Sequence, residues 1–289
     1  MLKILVTGSN GQLGSELKAM APEYPEFSFD FTDVPELDIC DRFALESYFS
    51  THRPDALFNL AAYTAVDKAE SEPVLADQVN HLAVKNLGIL CSRYNCFPVH
   101  ISTDYVFEGN SKNPYKEEDL ANPSSVYGKT KLAGEHVMKS VSGRGLIIRT
   151  SWLYSSFGHN FVKTIIRKGK ETGSLRVVSD QFGSPTYAND LARAILSILQ
   201  QDIKSASVFA VYHYANEGSC SWYELAKAIL DLTKIPCELH PILTKDYPLP
   251  ASRPFYSVLD TSRIKEQFHL KIPFWKDSLN QCIERIVLD

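Results

Sequence analysis

Tyr127 and Lys131 stand four residues apart in the stretch VYGKTKLAGE, residues 126–135. In a helix this spacing puts both side chains on one face, a turn apart. A phenol titrates near pH 10 and is a weak acid at neutral pH, but a neighbouring ammonium stabilises the phenolate. The pair can therefore act as a proton donor and its tuner. The pattern Y-x-x-x-K also arises by chance, so its meaning depends on what else the chain supplies. HISTDYVF (100–107) supplies hydroxyls at the end of an expected strand, with Thr103 lying 24 residues before Tyr127. Ligands of open α/β sheets bind beyond the carboxyl ends of the strands, which would set Ser102, Thr103, Asp104 and Tyr105 in the cleft. A hydroxyl there can hydrogen-bond a carbonyl oxygen and polarise it for hydride attack. Strand-end capping is the plainer role for any one of these residues.

A hydride needs a carrier, and TGSNGQLG (7–14) offers a place for one. Gly8, Gly11 and Gly14 form G-x-x-G-x-x-G around Asn10, Gln12 and Leu13, with a strand before and a helix after. Residues without Cβ let backbone amides approach a pyrophosphate at the helix N-terminus. Asp30 follows Gly8 by 22 residues, about the distance at which a carboxylate accepts hydrogen bonds from the adenosine ribose. It could equally cap a turn. No Arg follows it to grip a 2′-phosphate, which leans towards tolerance of NADH. Asp38 and Ile39 fall where the chain could return to the adenine.

These residues need a scaffold, and the first half of the chain spells one. Strands are expected at 3–8, 27–31, 56–62, 96–103 and 145–152, with a sixth at 175–180. Helical spacing fills 11–20, 74–94 and 190–200 between them. The stretch NPSS (122–125) is a helix-start signal just ahead of Tyr127. Apolar runs alternating with helices predict an α/β fold, a Rossmann-like doubly wound parallel sheet. The last third differs. Residues 236–255 contain five prolines and no helical period, flanked by helices near 221–232 and 275–287. We expect a dinucleotide-binding domain from 1–150 and about 175–210, and a smaller substrate domain from about 151–174 and 211–289.

Composition excludes several classes. The 289 residues carry 44% hydrophobic and 22% charged side chains and a net charge of −4, with no basic footprint for nucleic acid. No window approaches the ~18 apolar residues of a membrane span. The N-terminus lacks a signal-peptide core, so a cytoplasmic protein without a membrane partner is expected. Six cysteines, none in C-x-x-C, read as thiols rather than disulfides or metal ligands.

Taken together, the chain resembles the extended short-chain dehydrogenase/reductase family. TGSNGQLG, NLAAYTAVDKAESEP (59–73), STDYVFEG (102–109), PSSVYGKTKLAGE (123–135), RTSWLY (149–154), GSPTY (183–187) and PASRP (250–254) carry the likeness across nearly the whole chain. The match is narrowest to the branch that reduces the C4 ketone of dTDP-4-dehydro-L-rhamnose with NADPH or NADH. The resemblance implies a dTDP-sugar substrate and is compatible with a homodimer. It implies that Gly11, Gln12 and Leu13 cradle the cofactor phosphates, and that Ala61, Ala62, Tyr63 and Thr64 line the cofactor. It implies that Thr103, Asp104 and Tyr105 meet the sugar nucleotide, that Tyr127 donates the proton and Lys131 holds the ribose, and that Trp152 packs on the deoxysugar. Arg253 suits the substrate diphosphate, since guanidinium forks match phosphate oxygens, and equally a surface ion pair. Asp67 and Lys68, being adjacent, read as helix-start chemistry.

Some members of the family join subunits through a divalent metal held by glutamates. Glu16 matches one such position, but Asn189 stands where a second glutamate would be expected. We therefore expect no metal, and Glu16 on a solvated helix face. A related epimerase or 4,6-dehydratase is disfavoured because Asp104 is followed by Tyr105 rather than Glu. A regulatory subunit on the same fold would have no need of Thr103, Tyr127 and Lys131 together.

Overall fold

The structure is a computed structural model and describes residues 1–201 and 209–288. The expected domain segments extend over 202–208 and 289, which lie outside the described residues. Six parallel strands form the main sheet: β1 (Leu2–Thr7), β2 (Phe27–Thr32), β3 (Ala56–Asn59), β4 (Phe97–Thr103), β5 (Gly145–Thr150) and β10 (Phe209–His213). Their order is β10-β5-β4-β3-β1-β2. The order reverses between β1 and β3, which is where an open sheet of this kind leaves a crevice at its carboxyl edge. Every residue of β3 and β5 is buried, as expected for strands covered on both faces.

One face of the sheet carries α1 (Gln12–Met20) and α8 (Ala188–Gln200), whose Leu13, Leu17, Leu191 and Ile195 pack on Ile4, Val6, Phe58 and Ile148. The other face carries α2 (Arg42–His52), α5 (Ala83–Tyr94) and α6 (Val126–Ser142), closed by Leu5, Leu45, Phe49, Leu57, Leu87 and Met138. Between β3 and α5 come two short helices, α3 (Val66–Ala69) and α4 (Pro73–Asp77). The helix expected at 74–94 runs unbroken from α4 into α5, with a π turn at Gln78–Leu82 between them. The expected third strand stops at Asn59, which leaves Leu60–Ala62 free to line a loop.

A smaller layer sits beyond the carboxyl edge. It contains β6 (Leu153–Tyr154), α7 (Phe161–Thr172), β7 (Ser174–Val178), β8 (Phe182–Gly183), β9 (Thr186–Tyr187), β11 (Cys220–Ser221), α9 (Trp222–Thr233), β12 (Glu238–Ile242), α10 (Ser262–Phe268) and α11 (Trp275–Leu288). Val162, Ile165, Leu225, Ile229, Leu279 and Cys282 form its core, although α10 sends Ile264 and Phe268 into the main core. The stretch 175–180, expected as a sixth sheet strand, instead pairs as β7 with β12 in a separate ribbon. The main sheet takes β10 as its sixth strand. The proline-rich segment holds β12 and a 3₁₀ turn at Thr244–Asp246.

Candidate active site

The glycine turn follows β1 and opens α1. Gly8 adopts φ +68°, and a Cβ there would meet Ala61 N at 2.6 Å, so the turn lies directly on the exit of β3. A Cβ on Gly14 would fall 2.5 Å from Ser9 Cα. No side chain caps α1 at Gly11, so its first-turn amides and the positive end of its dipole are left for a ligand. A cleft of about 800 Å³ starts here and runs along the sheet edge. Gly8, Gly11, Gln12, Leu13, Asp38, Ile39, Ala61, Ala62 and Thr64 line its first half. The residues present fit a dinucleotide: a glycine cradle that a Cβ would fill, uncapped amides, and length for two nucleosides.

Three positions expected at the cofactor do not line the cleft. Asp30 lies two residues short of the end of β2, is exposed, and accepts a hydrogen bond from Tyr48 Oη. Asp33, three residues on, lines the crevice together with Asp38 and accepts the Asn10 amide at 2.8 Å and the Val34 amide at 2.9 Å. Asn10 therefore serves the turn through its backbone. Tyr63 turns away to donate to Glu72 at 2.7 Å.

The second half of the cleft is built where α6 meets β4. Ser125 caps α6 by accepting from the Gly128 amide at 3.1 Å. A Cβ on Gly128 would stand 2.2 Å from the Tyr105 carbonyl, so only glycine lets the helix start come this close to the end of β4. That contact brings Tyr127 and Thr103 to the same wall of the cleft. Thr103 Oγ1 donates to Asp104 Oδ1 at 3.0 Å and accepts the Tyr105 amide at 3.2 Å. Burial pushes the Tyr127 phenol up to about 12, with the Thr103 hydroxyl opposing it. Lys131 is pushed down to about 8 by burial, with Glu135 opposing. Its ammonium donates to the Ile101 carbonyl at 2.7 Å, so in this state burial and Thr103 set the titration of the phenol.

Behind Lys131, one helical turn on, Glu135 is held by two residues. Arg149 donates to it at 2.7 and 2.9 Å, and Ser102 Oγ at 2.5 Å. This buried cluster locks α6 to β4 and β5 and fixes the height of Tyr127 and Lys131 above the sheet. Sequence reasoning missed it because Arg149 and Ser102 come from different strands.

Trp152 closes the far end. Its φ of +46° is unusual for a bulky residue. It stacks on Trp222 of α9 with centroids 3.5 Å apart, and Gly183 lies so close that a Cβ would meet its indole at 2.5 Å. Trp222 lines the cleft and was not foreseen, since nothing near it in sequence marks a site. The loop before α7 roofs the glycine turn, with Asn160 donating to Gln12 Oε1 at 2.9 Å.

Arg253 does not line the cleft. It pairs with Asp67 at 2.5 Å and lies over the Tyr105 ring, the ion-pair alternative of the two open to it. Asp67 also accepts the Ala251 amide at 3.2 Å, so it anchors the proline-rich segment and is more than helix-start chemistry. Glu16 corrects the solvated-face expectation. It is fully buried and accepts from Ser155 at 2.6 Å, Arg285 at 2.8 Å and Asn189 at 3.0 Å. A buried carboxylate needs such partners, and α11 supplies the cation.

A glycine-turn crevice and a Tyr–Lys helix on one doubly wound sheet define a short-chain dehydrogenase/reductase class of protein. The family model described as RmlD substrate binding domain matches residues 2–288. A dTDP-4-dehydrorhamnose reductase of Aggregatibacter actinomycetemcomitans is 38% identical over 96% of this chain and 97% of its own. The crystal structure of such a reductase from Clostridium acetobutylicum superposes with a TM-score of 0.92 at 41% identity, covering 98% of this chain and 99% of that one. That of the Bacillus anthracis reductase, in complex with NADP, gives 0.91 at 36% identity, covering 98% and 99%. The chain belongs to the RmlD substrate binding domain family of short-chain dehydrogenase/reductases. No helix among the described residues is long and apolar enough to cross a membrane.

Proposed function

We propose that this protein reduces the C4 ketone of dTDP-4-dehydro-L-rhamnose to dTDP-L-rhamnose with NADPH or NADH. The observation that carries the reading is that Tyr127, Lys131 and Thr103 line the same cleft as the uncapped glycine turn. Family membership and the NADP-bound relative support it.

A reduced nicotinamide bound in this cleft would supply the hydride. The chain supplies the rest. The first-turn amides of α1 hold the pyrophosphate. Thr103 orients the ketone oxygen, and Tyr127 passes its proton to the alkoxide that forms there. A phenol held near 12 keeps its proton until strong negative charge develops beside it. With the cofactor bound, Lys131 would hold the nicotinamide ribose. Trp152 and Trp222 give the deoxysugar an apolar wall.

The test is NAD(P)H oxidation by pure protein with dTDP-4-dehydrorhamnose; no consumption would sink the reading. Tyr127→Phe should lower kcat by about a hundred- to ten-thousand-fold and leave NADPH affinity near normal. Turnover that survives this change would remove Tyr127 from the role of acid. The melting temperature should hardly move, because the ring stays.

A further inference from the structure

The adenosine end of the cleft is acidic. Asp33, which directly follows β2, and Asp38 both line it, whereas Lys131 alone among the described lysines and arginines lines the cleft, at its other end. Backbone amides hold both carboxylates in place. Asp33 accepts the Asn10 amide of the glycine turn at one oxygen and the Val34 amide at the other, and its carbonyl takes the Leu37 amide at 2.9 Å. Asp38 accepts the Cys40 amide at 2.8 Å. Val34, Pro35 and Glu36 follow Asp33, so its loop brings no basic side chain to the crevice. Lys18 of α1 comes to the same turn but does not line the cleft. Its ammonium donates to Asn10 Oδ1 at 3.4 Å and lies 5.6 Å from the centre of the Phe31 ring.

We propose that Asp33 makes this protein select NADH over NADPH. The inference rests on the reductase reading above and narrows its cofactor. A dinucleotide with its pyrophosphate at the first turn of α1 sets its adenosine ribose beside the end of β2. The ribose hydroxyls of NADH donate hydrogen bonds, and a carboxylate there accepts them. NADPH instead brings a 2′-phosphate with about two negative charges, which accepts and has nothing to donate. That phosphate would meet the charge of Asp33 with no lysine or arginine of the adenosine end to offset it. Asp33 could move aside only by giving up the Asn10 and Val34 amides, and the first of these belongs to the turn that must hold the pyrophosphate.

The selection belongs to the residues of this chain rather than to the fold, since the Bacillus anthracis relative is in complex with NADP. Lys18 is the cation that could act the other way. To reach a 2′-phosphate it would leave Asn10 Oδ1 and the Phe31 ring, and it would arrive beside Asp33, whose charge offsets its own.

Equilibrium titration of the pure protein with each reduced nucleotide, followed by nucleotide fluorescence, reads the selection without any turnover. NADH should bind about tenfold or more tighter than NADPH, and the gap should narrow at high salt. Asp33→Asn keeps the shape and one acceptor for the turn but removes the charge. It should weaken NADH, strengthen NADPH and bring the two affinities within about threefold of each other. Lys18→Ala should leave their ratio unchanged. NADPH binding as tightly as NADH to the unaltered protein would overturn the inference, as would a gap indifferent to salt. So would an Asp33→Asn ratio equal to that of the unaltered protein, or a selective loss of NADPH affinity on Lys18→Ala. The ratio of the unaltered protein and its salt response decide the matter even where Asp33→Asn folds poorly. If neither nucleotide binds, the reductase reading fails instead.

Discussion

One buried amide, Asn80, makes three hydrogen bonds: it accepts the Tyr63 amide at 2.8 Å and donates to the Tyr63 carbonyl at 3.1 Å and Thr130 Oγ1 at 3.2 Å. It thereby fixes the loop after β3 that lines the nucleotide half of the cleft. Asn80→Ala should cost about 2–3 kcal/mol, because it leaves a buried N–H and C=O unpaired. Urea unfolding checks the stability, and a raised KM for NADPH checks the loop. The residues that act through local chemistry were the legible ones. Tyr127, Lys131, Thr103 and the glycines announce themselves by type and spacing, and all of them line the cleft, with Lys131 buried in its floor. Asp30 misled because counting from Gly8 does not reveal where β2 ends; three residues further on, Asp33 reaches the crevice. Asn80 and Trp222 left no local signal, since their partners lie in other elements.

The elements nearest the site are held apart by unusually small spacings. Gly134 of α6 faces the π turn, and a Cβ there would stand 2.1 Å from the Asn80 carbonyl oxygen. Neither backbone can yield cheaply. Gly134→Ala should therefore push α6 outward, at a cost of about 1–3 kcal/mol, and lower kcat by shifting Tyr127 relative to Thr103. Thermal unfolding and turnover measured together check both halves. If activity stayed whole while stability fell, the helix would not be what sets the height of Tyr127. Several strands and helices followed from hydrophobic period, but β10, α2 and α7 were not foreseen, and pairing did not follow. Both β7 and β10 are short apolar runs, and the alternation of a run says nothing about which edge receives it. The π turn was invisible for the same reason: 74–94 keeps its helical spacing through the bulge.

Two buried histidines make the whole molecule acid-sensitive: His100, pushed well down by burial and then by the Lys131 charge, and His213. His213 is buried at the end of β10, its ring nitrogens facing the Tyr115 carbonyl at 3.0 Å and Arg149 at 3.4 Å. Burial first, then the charge of Arg149, pushes it down to about 3. The unfolded chain binds this proton near pH 6.5, while the fold refuses it until about 3. Stability from this group is thus complete above 6.5 and is lost as pH falls towards 3. Urea midpoints should show about 2 kcal/mol less at pH 5 than at pH 7 from His213 alone, and His213→Gln should flatten that slope. Another buried group has a consequence in time. Glu16 and its cation Arg285 are 269 residues apart. At ~5–20 residues per second, a growing chain waits on the order of half a minute between making the acid and making its partner. Until α11 emerges, Glu16 of the nucleotide-binding half lacks its cation, so α1 settles fully on its neighbours only after Arg285 has been made.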